Sequence, residues 1–222
     1  MNVYFLVEGE KTEMMLYPAW IEHLKPELQR ARELSEVASN HYYIHSAGGY
    51  PHILGQMLKN SIMEMIEHGN FQHLVVALDS DELSSSEMRD IAVRALGDLP
   101  EQPSNFDVHF VVQHRCIETW LLGNDHFMAA APNDLELIKF RSHYNVRLDD
   151  PEYMPEHVDF ASHAEFHLKY VKAVFRERNV CYAKNSPGEA SEPYYLDAIV
   201  QRATSAGQMP SFLHFLNVIQ TV

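Results

Sequence analysis

Two short apolar runs in this chain each end in a cluster of carboxylates. Residues 3–7 run straight into Glu8-Gly9-Glu10-Lys11-Thr12-Glu13, and residues 74–78 run into Asp79-Ser80-Asp81-Glu82. Apolar runs of this length, without polar alternation, suit strands covered on both faces, as in a parallel sheet between helix layers. In an open parallel sheet the C-terminal ends of the strands share one edge, so acids far apart in sequence can converge there. Convergent carboxylates favour a hard divalent cation, Mg2+ or Mn2+.

The rest of the chain alternates in the same way up to about residue 124. Residues 12–28 carry Leu16, Trp20 and Leu24 at helical spacing, with Pro18 expected to bend the helix or disturb its first turn. Residues 41–45, rich in Tyr and Ile, read as a second strand, and Gly48-Gly49 as the turn out of it. Ile53, Met57, Leu58, Ile62, Met65 and Ile66 give the next segment a helical apolar face. Residues 74–78 are then the third strand. Ser84 and Glu87 make a capping box for a helix holding Met88, Ile91, Ala92 and Ala95. Residues 108–112 form a fourth strand, followed by a helix opening near Cys116 and running through Leu122. This order predicts an α/β fold with a mostly parallel sheet, flanking helices and right-handed crossovers.

Beyond Asn124 the pattern loosens. Pro132, Pro151 and Pro155 punctuate a polar region, residues 160–178 read as a helix, and residues 180–183 as a last strand or extended segment. Residues 185–192 form a loop, and Pro193 opens a helix to Arg202. The expected organisation is a catalytic core over residues 1–125 and a mainly helical C-terminal extension over residues 126–222, packed on the core and placed to help complete the site.

A net charge of −14 over 222 residues argues against a protein that coats nucleic acid by itself. It leaves a metal-dependent nuclease open, because divalent ions neutralise acids around a site and a partner can supply basic surface. No apolar run reaches about 18 residues, so no membrane span is expected. The chain enters a strand at once, without the basic and apolar regions of a signal peptide, and is read as cytoplasmic. Cys116 and Cys181 are too few for a disulfide framework or zinc ribbon and are expected to be buried thiols. The 14 histidines show no His-x-x-x-His pair on a convincing helix and read as ordinary core or surface residues.

The Glu8-Gly9 step after the first strand and Asp79-Ser80-Asp81 after a later one resemble the two hallmarks of the TOPRIM domain. The stretch from Val7 to Glu13 resembles the extended first motif of the OLD-type and RloB-like small TOPRIM proteins of bacterial anti-phage systems. Glu118, in Cys116-Ile117-Glu118-Thr119-Trp120-Leu121-Leu122, is similar to a third acidic motif of that branch. The likeness covers roughly residues 1–125 and little of the rest. It implies a TOPRIM-like, Rossmann-like sheet and a nuclease that hydrolyses phosphodiester bonds in DNA or RNA. Mg2+ or Mn2+ would be held by Glu8, Asp79, Asp81 and Glu118, with Glu8 as ligand or general acid/base. Lys184, late in the chain, is the candidate to offset charge on the pentavalent phosphate. An anti-phage setting is also implied. No Walker-type Gly-Lys-Ser/Thr segment occurs, so any ATPase function belongs to a defence-system partner. A homo-oligomer is compatible with this reading. No covalent tyrosine step is implied, because the strand-breaking members carry a separate tyrosine domain for which there is no room here.

Each of these residues also has a plainer role open to it. Glu8 suits a solvated acid beside a turn glycine, with Gly9 allowing a tight path. Glu13 reaches the same edge or simply favours a helix N-terminus. Glu82 is a further ligand or, preferably, an early helix acid. Glu118 is a metal ligand or the partner of Arg115 or another base. His114 and Arg115 touch phosphate or close their loop, and Lys184 is otherwise a surface lysine. A strand-terminal Asp-x-Asp also serves haloacid-dehalogenase-like phosphatases, normally after their first strand, and nucleotide-sugar glycosyltransferases. The alternatives for the whole chain are therefore a phosphoryl or glycosyl transferase using Asp79 and Asp81, or a non-catalytic TOPRIM-like binding or regulatory subunit.

Overall fold

In a computed structural model, which describes residues 1–222, the first apolar run is strand β1 (Val3–Val7), buried at every position. Its alternate side chains serve two cores. Val3, Phe5 and Val7 enter one, Tyr4 and Leu6 the other, which is why no polar alternation survives in the sequence. The remaining strands are β2 (Gln29–Ala31), β3 (His41–Ser46), β4 (His73–Asp79) and β5 (Asp107–Gln113). All pair parallel, in the order β2-β3-β1-β4-β5. The α/β architecture expected from the alternation is present. Strand β2 escapes a sequence reading because it is three residues long, with two of them exposed.

Helix α1 (Thr12–Leu24) continues through a buried Pro18 and ends before residue 28, because the chain must turn at Lys25 to deliver Gln29 to the sheet. It lays Leu16, Tyr17, Trp20 and Ile21 on the first face of the sheet. Helices α2 (Gln56–His68) and α3 (Ser85–Gly97) cover the opposite face through Leu58, Ile62, Met65, Met88 and Ala92. Ser84 caps α3 with the reciprocal Glu87 bond that the sequence predicts. The connection after β1 therefore leaves on one face toward β2, and the connection after β4 leaves on the other toward β5. Where neighbouring strands send their connections apart, a crevice opens at their C-terminal ends. Here that crevice lies between Val7 and Asp79.

The C-terminal region adds α4 (Ile117–Leu121), α5 (Leu135–His143), α6 (His163–Glu177), α7 (Pro193–Ala206) and α8 (Pro210–Thr221), all on the α1 face. Helices α5 and α8 are absent from the sequence reading. The sequence around α5 lacks a clear apolar stripe, and α8 follows a short break at Gly207. Helix α6 begins at His163, after a Ser162 cap, rather than at residue 160. Residues 180–183 form no strand, only an isolated Ala183–Ser186 bridge. Cys116 is buried as expected, whereas Cys181 is exposed. His163 and His167 are a His-x-x-x-His pair on a well-formed helix, contrary to the sequence reading. His163 Nδ1 pairs with Glu82 at 2.5 Å, and His167 Nδ1 with the Thr119 hydroxyl at 2.7 Å. No helix is long and apolar enough to cross a membrane.

These helices share the core of the sheet. Trp120 lies 5.3 Å from Phe212 and 5.4 Å from Phe215 between ring centroids, with Trp20 beside all three. Ser211, at the start of α8, is the polar centre of this packing. Its hydroxyl accepts from Trp120 Nε1 (2.7 Å) and the His114 N–H (3.2 Å) and donates to Glu152 (2.6 Å). The Glu152 carboxylate also accepts the backbone N–H groups of Ser211 and Phe212, supplying two of the bonds that the first turn of α8 lacks. Ser211→Ala would orphan a buried indole N–H and the His114 N–H and remove the shortest bond to Glu152. A loss of about 2–3 kcal/mol in urea unfolding is expected, and a loss under about 0.5 kcal/mol would contradict the hub.

Candidate functional site

Glu8 follows β1 with its N–H still bound to Ala77 O (2.9 Å), so its position is fixed by the β1–β4 register. Its Oε2 accepts from the Asp79 N–H at 3.0 Å and its Oε1 from the Tyr50 N–H at 3.2 Å. The chain ends of β1, β3 and β4 are thereby tied through one carboxylate. Gly48 and Gly49 adopt φ of 73° and 104°, a path that residues with a Cβ rarely take, and this lets the Gly49 N–H reach Glu8 O at 3.0 Å.

A cleft of about 300 Å³ opens here, lined by Glu8, Glu10, Glu13, Asp79, Glu118 and Lys184, with Lys11, Thr12, Ile117 and glycines 9, 48 and 49. Five carboxylates face two ammonium groups. Glu13 folds back from the first turn of α1 over Gly9, where a Cβ would collide with its carboxylate. Burial pushes the Glu13 pKa up to about 7; the charges of Glu118 and Glu8 add to the rise, and its own backbone N–H and Lys184 oppose it. Asp79 Oδ1 is shielded from solvent and has no hydrogen-bond partner. Burial holds the Asp79 carboxyl well above the usual carboxylate range, followed by Glu13, Glu8, Glu118 and Asp81. Burial likewise raises Glu8.

Glu118 is 1% exposed at the start of α4, and its Oε1 accepts from the Tyr182 hydroxyl at 3.1 Å. Its ion-pair partner is Lys184, 3.8 Å away, rather than Arg115. The charge of Glu118 raises the Lys184 pKa. Thr12 Oγ1 donates to Lys184 O at 3.1 Å and holds this late segment over the first helix. Glu8, Asp79, Glu118 and Lys184 thus meet in one cleft, together with Glu13.

Asp81 stands at the rim, outside the lining of the cleft. The backbone past β4 no longer follows the strand period, because Asp81 turns to φ 48°. Arg115, past β5, mirrors it at φ 59°. The Asp81 N–H bonds Arg115 O, and Arg115 Nη1 returns to Asp81 O and Leu83 O, so the guanidinium closes the loop. Two adjacent left-handed residues without glycine are a local cost of roughly 1 kcal/mol or more each, held by this mutual bonding. His114 likewise bonds Ser85 Oγ, and burial lowers its pKa to about 4. Glu82 is spent on His163 and precedes α3, so it is neither an early helix acid nor part of the cleft lining. Tyr182 and its link to Glu118 are invisible in sequence, being 64 residues apart.

The donor set is hard oxygen, with one shielded oxygen lacking a partner, and it fits Mg2+ or Mn2+. The cleft carboxylates are spread rather than gathered. Three ligand atoms of different residues lie within 4.8 Å of one another only at His73, Asp107 and His109, elsewhere in the sheet. Comparison with protein-family models, curated proteins and solved structures gives no match.

Raised folded-state pKa values set the sign of a stability effect. Glu13 binds more protons folded than unfolded between the ordinary carboxyl range and about pH 7, and Asp79 does so from the ordinary carboxyl range upward. Their stabilising contribution is therefore complete at low pH and is lost as pH rises through those ranges. For Glu13 the loss is on the order of 3 kcal/mol. In EDTA, stability is expected to fall from pH 5 to pH 8, with a shallower fall in Glu13→Gln. Identical profiles for the two proteins would contradict the assignment.

Proposed function

We propose that this chain is a divalent-cation-dependent phosphodiester hydrolase acting on DNA or RNA, built as a TOPRIM-like domain. The observation that carries the reading is the unpartnered Asp79 Oδ1, shielded at the β1–β4 crevice and surrounded by Glu8, Glu13 and Glu118. A buried carboxylate oxygen with acids for neighbours is costly without a cation to neutralise it. Glu8, Asp79 and Glu118, joined by Glu13, are the residues that would hold Mg2+ or Mn2+, with Asp81 at the rim. Bound there, the ion supplies a water of lowered pKa and charge stabilisation for the phosphoryl oxygens.

The chain's own residues divide the remaining work. Without a cation, burial keeps Glu13 partly protonated near neutrality, and a bound divalent ion would release that proton and free the carboxylate to ligate it. Lys184 brings a positive charge to the mouth of the cleft, where it faces a phosphate rather than bulk water alone. The strongly acidic surface gives little affinity for a polyanion, which supports a basic partner or ATPase in the anti-phage setting that the motif resemblance suggests. A transferase using Asp79 and Asp81 as a pair has less support, because Asp81 does not line the cleft.

The test is cleavage of single- and double-stranded DNA and RNA by purified protein, alone and with its genomic partner. Activity is expected with Mg2+ or Mn2+, is absent in EDTA, and falls steeply with added salt. Asp79→Asn is expected to lower the rate roughly a hundredfold or more. Lys184→Ala is expected to lower it roughly a hundredfold with metal binding retained. Equal rates for wild type and Asp79→Asn would overturn the assignment of the site. Absence of turnover under every metal would favour a binding subunit.

A further inference from the structure

At the opposite end of the sheet, the first residue of β4 faces the first residue of β5. His73 pairs in register with Asp107, and His109 lies two residues further along β5. The strand period puts all three on the face that carries α1 and α8. His73 Nδ1 stands 3.2 Å from His109 Nε2 and 3.9 Å from the nearer Asp107 oxygen. All three ligand atoms lie within 4.8 Å of one another. His214 on α8 is close by, but its Nε2 is engaged with Phe110 O.

We propose that His73, Asp107 and His109 form a second, separate metal site that takes a borderline transition ion, most simply Zn2+. Two nitrogens on one tetrahedral zinc stand roughly 3.3 Å apart, the spacing that these imidazoles already have. A carboxylate as third ligand leaves the fourth position to water, and Asp107 is exposed enough to turn onto the ion. Two imidazoles and one carboxylate select zinc over Mg2+, which prefers an all-oxygen shell. The imidazoles also have the uncharged form that a metal requires. Burial lowers the pKa of both; the charges of His109, Lys25 and the N-terminal amine lower His73 further, and Asp107 opposes the shift in each. Strand β4 separates His73 from Asp79 by roughly 20 Å, so this site cannot share an ion with the acidic cleft. Its effect would be structural. An ion here would pin the start of edge strand β5 to β4, at the one side of the sheet where β5 has no further strand neighbour.

Zinc titration of the full chain tests this, in a Glu8→Gln/Asp79→Asn background that removes the acidic cleft from the count. One equivalent of Zn2+ is expected, with a Tm rise of about 5–10 °C at a hundredfold excess of free zinc over Kd. Mg2+ is expected to give neither. Adding Asp107→Asn, an exposed change that does not threaten the fold, is expected to weaken zinc binding about tenfold. His73→Ala with His109→Ala is expected to weaken it about a hundredfold or more. Unchanged stoichiometry and affinity in Asp107→Asn, or equal competition by Mg2+, would overturn the site even if the double histidine variant failed to fold.

Discussion

Mutual repulsion among carboxylates spread around one cleft at the ends of β1 and β4 is the constraint around which this molecule is arranged. Glu13 and Asp79 feel the charges of Glu8 and Glu118 as well as their own burial, and Glu8 feels that of Asp81. The fold offsets this in three ways. Backbone N–H groups of Tyr50 and Asp79 bind Glu8, the Tyr182 hydroxyl binds Glu118, and Lys184 brings an opposing charge. One oxygen, Asp79 Oδ1, receives nothing. The protein therefore keeps an uncompensated acceptor at the crevice where an open parallel sheet presents its ligand site, and a cation is what would complete it.

Two of those offsets come from the C-terminal half. Lys184 and Tyr182 follow α6, and their position depends on the helices that pack Trp20 and Trp120 against Phe212 and Phe215. Ser211 and Glu152 hold the start of α8 under this cluster, and the Thr12 hydroxyl ties Lys184 to the first turn of α1. The chemistry at the sheet edge thus rests on contacts made more than a hundred residues away. Strained loops add to this. Asp81 and Arg115, both left-handed, brace each other beside the cleft and turn the second acid of the Asp-x-Asp outward.

The parts of the fold that show in the sequence are those written by local rules. Continuous burial of β1 and β4 reads directly as two apolar runs, and the Ser84–Glu87 box announces α3. The meeting of Glu8 with Asp79 follows from parallel strands sharing an edge, whereas Glu118, among Ile117, Trp120 and Leu121, sits in what reads as core helix and is singled out only by the motif resemblance. Other features have no local signal. Strand β2 is short and mostly exposed, and helix α5 lacks a clear stripe. The Lys184–Glu118 pair and the Ser211 hub depend on tertiary proximity that no spacing encodes. The His73, Asp107 and His109 group is similar, since it needs the β4–β5 register before the residues become neighbours.

The central claim, that the crevice between β1 and β4 binds a divalent cation through Asp79 and its acidic neighbours, is tested most directly by Mn2+ titration followed by electron paramagnetic resonance. Wild-type protein is expected to bind Mn2+ with loss of the free-ion signal and to release it to excess Mg2+. The Asp79→Asn protein, folded to the same extent, is expected to leave that signal largely undiminished. Equal Mn2+ uptake by the two proteins would place the cation elsewhere and contradict the account.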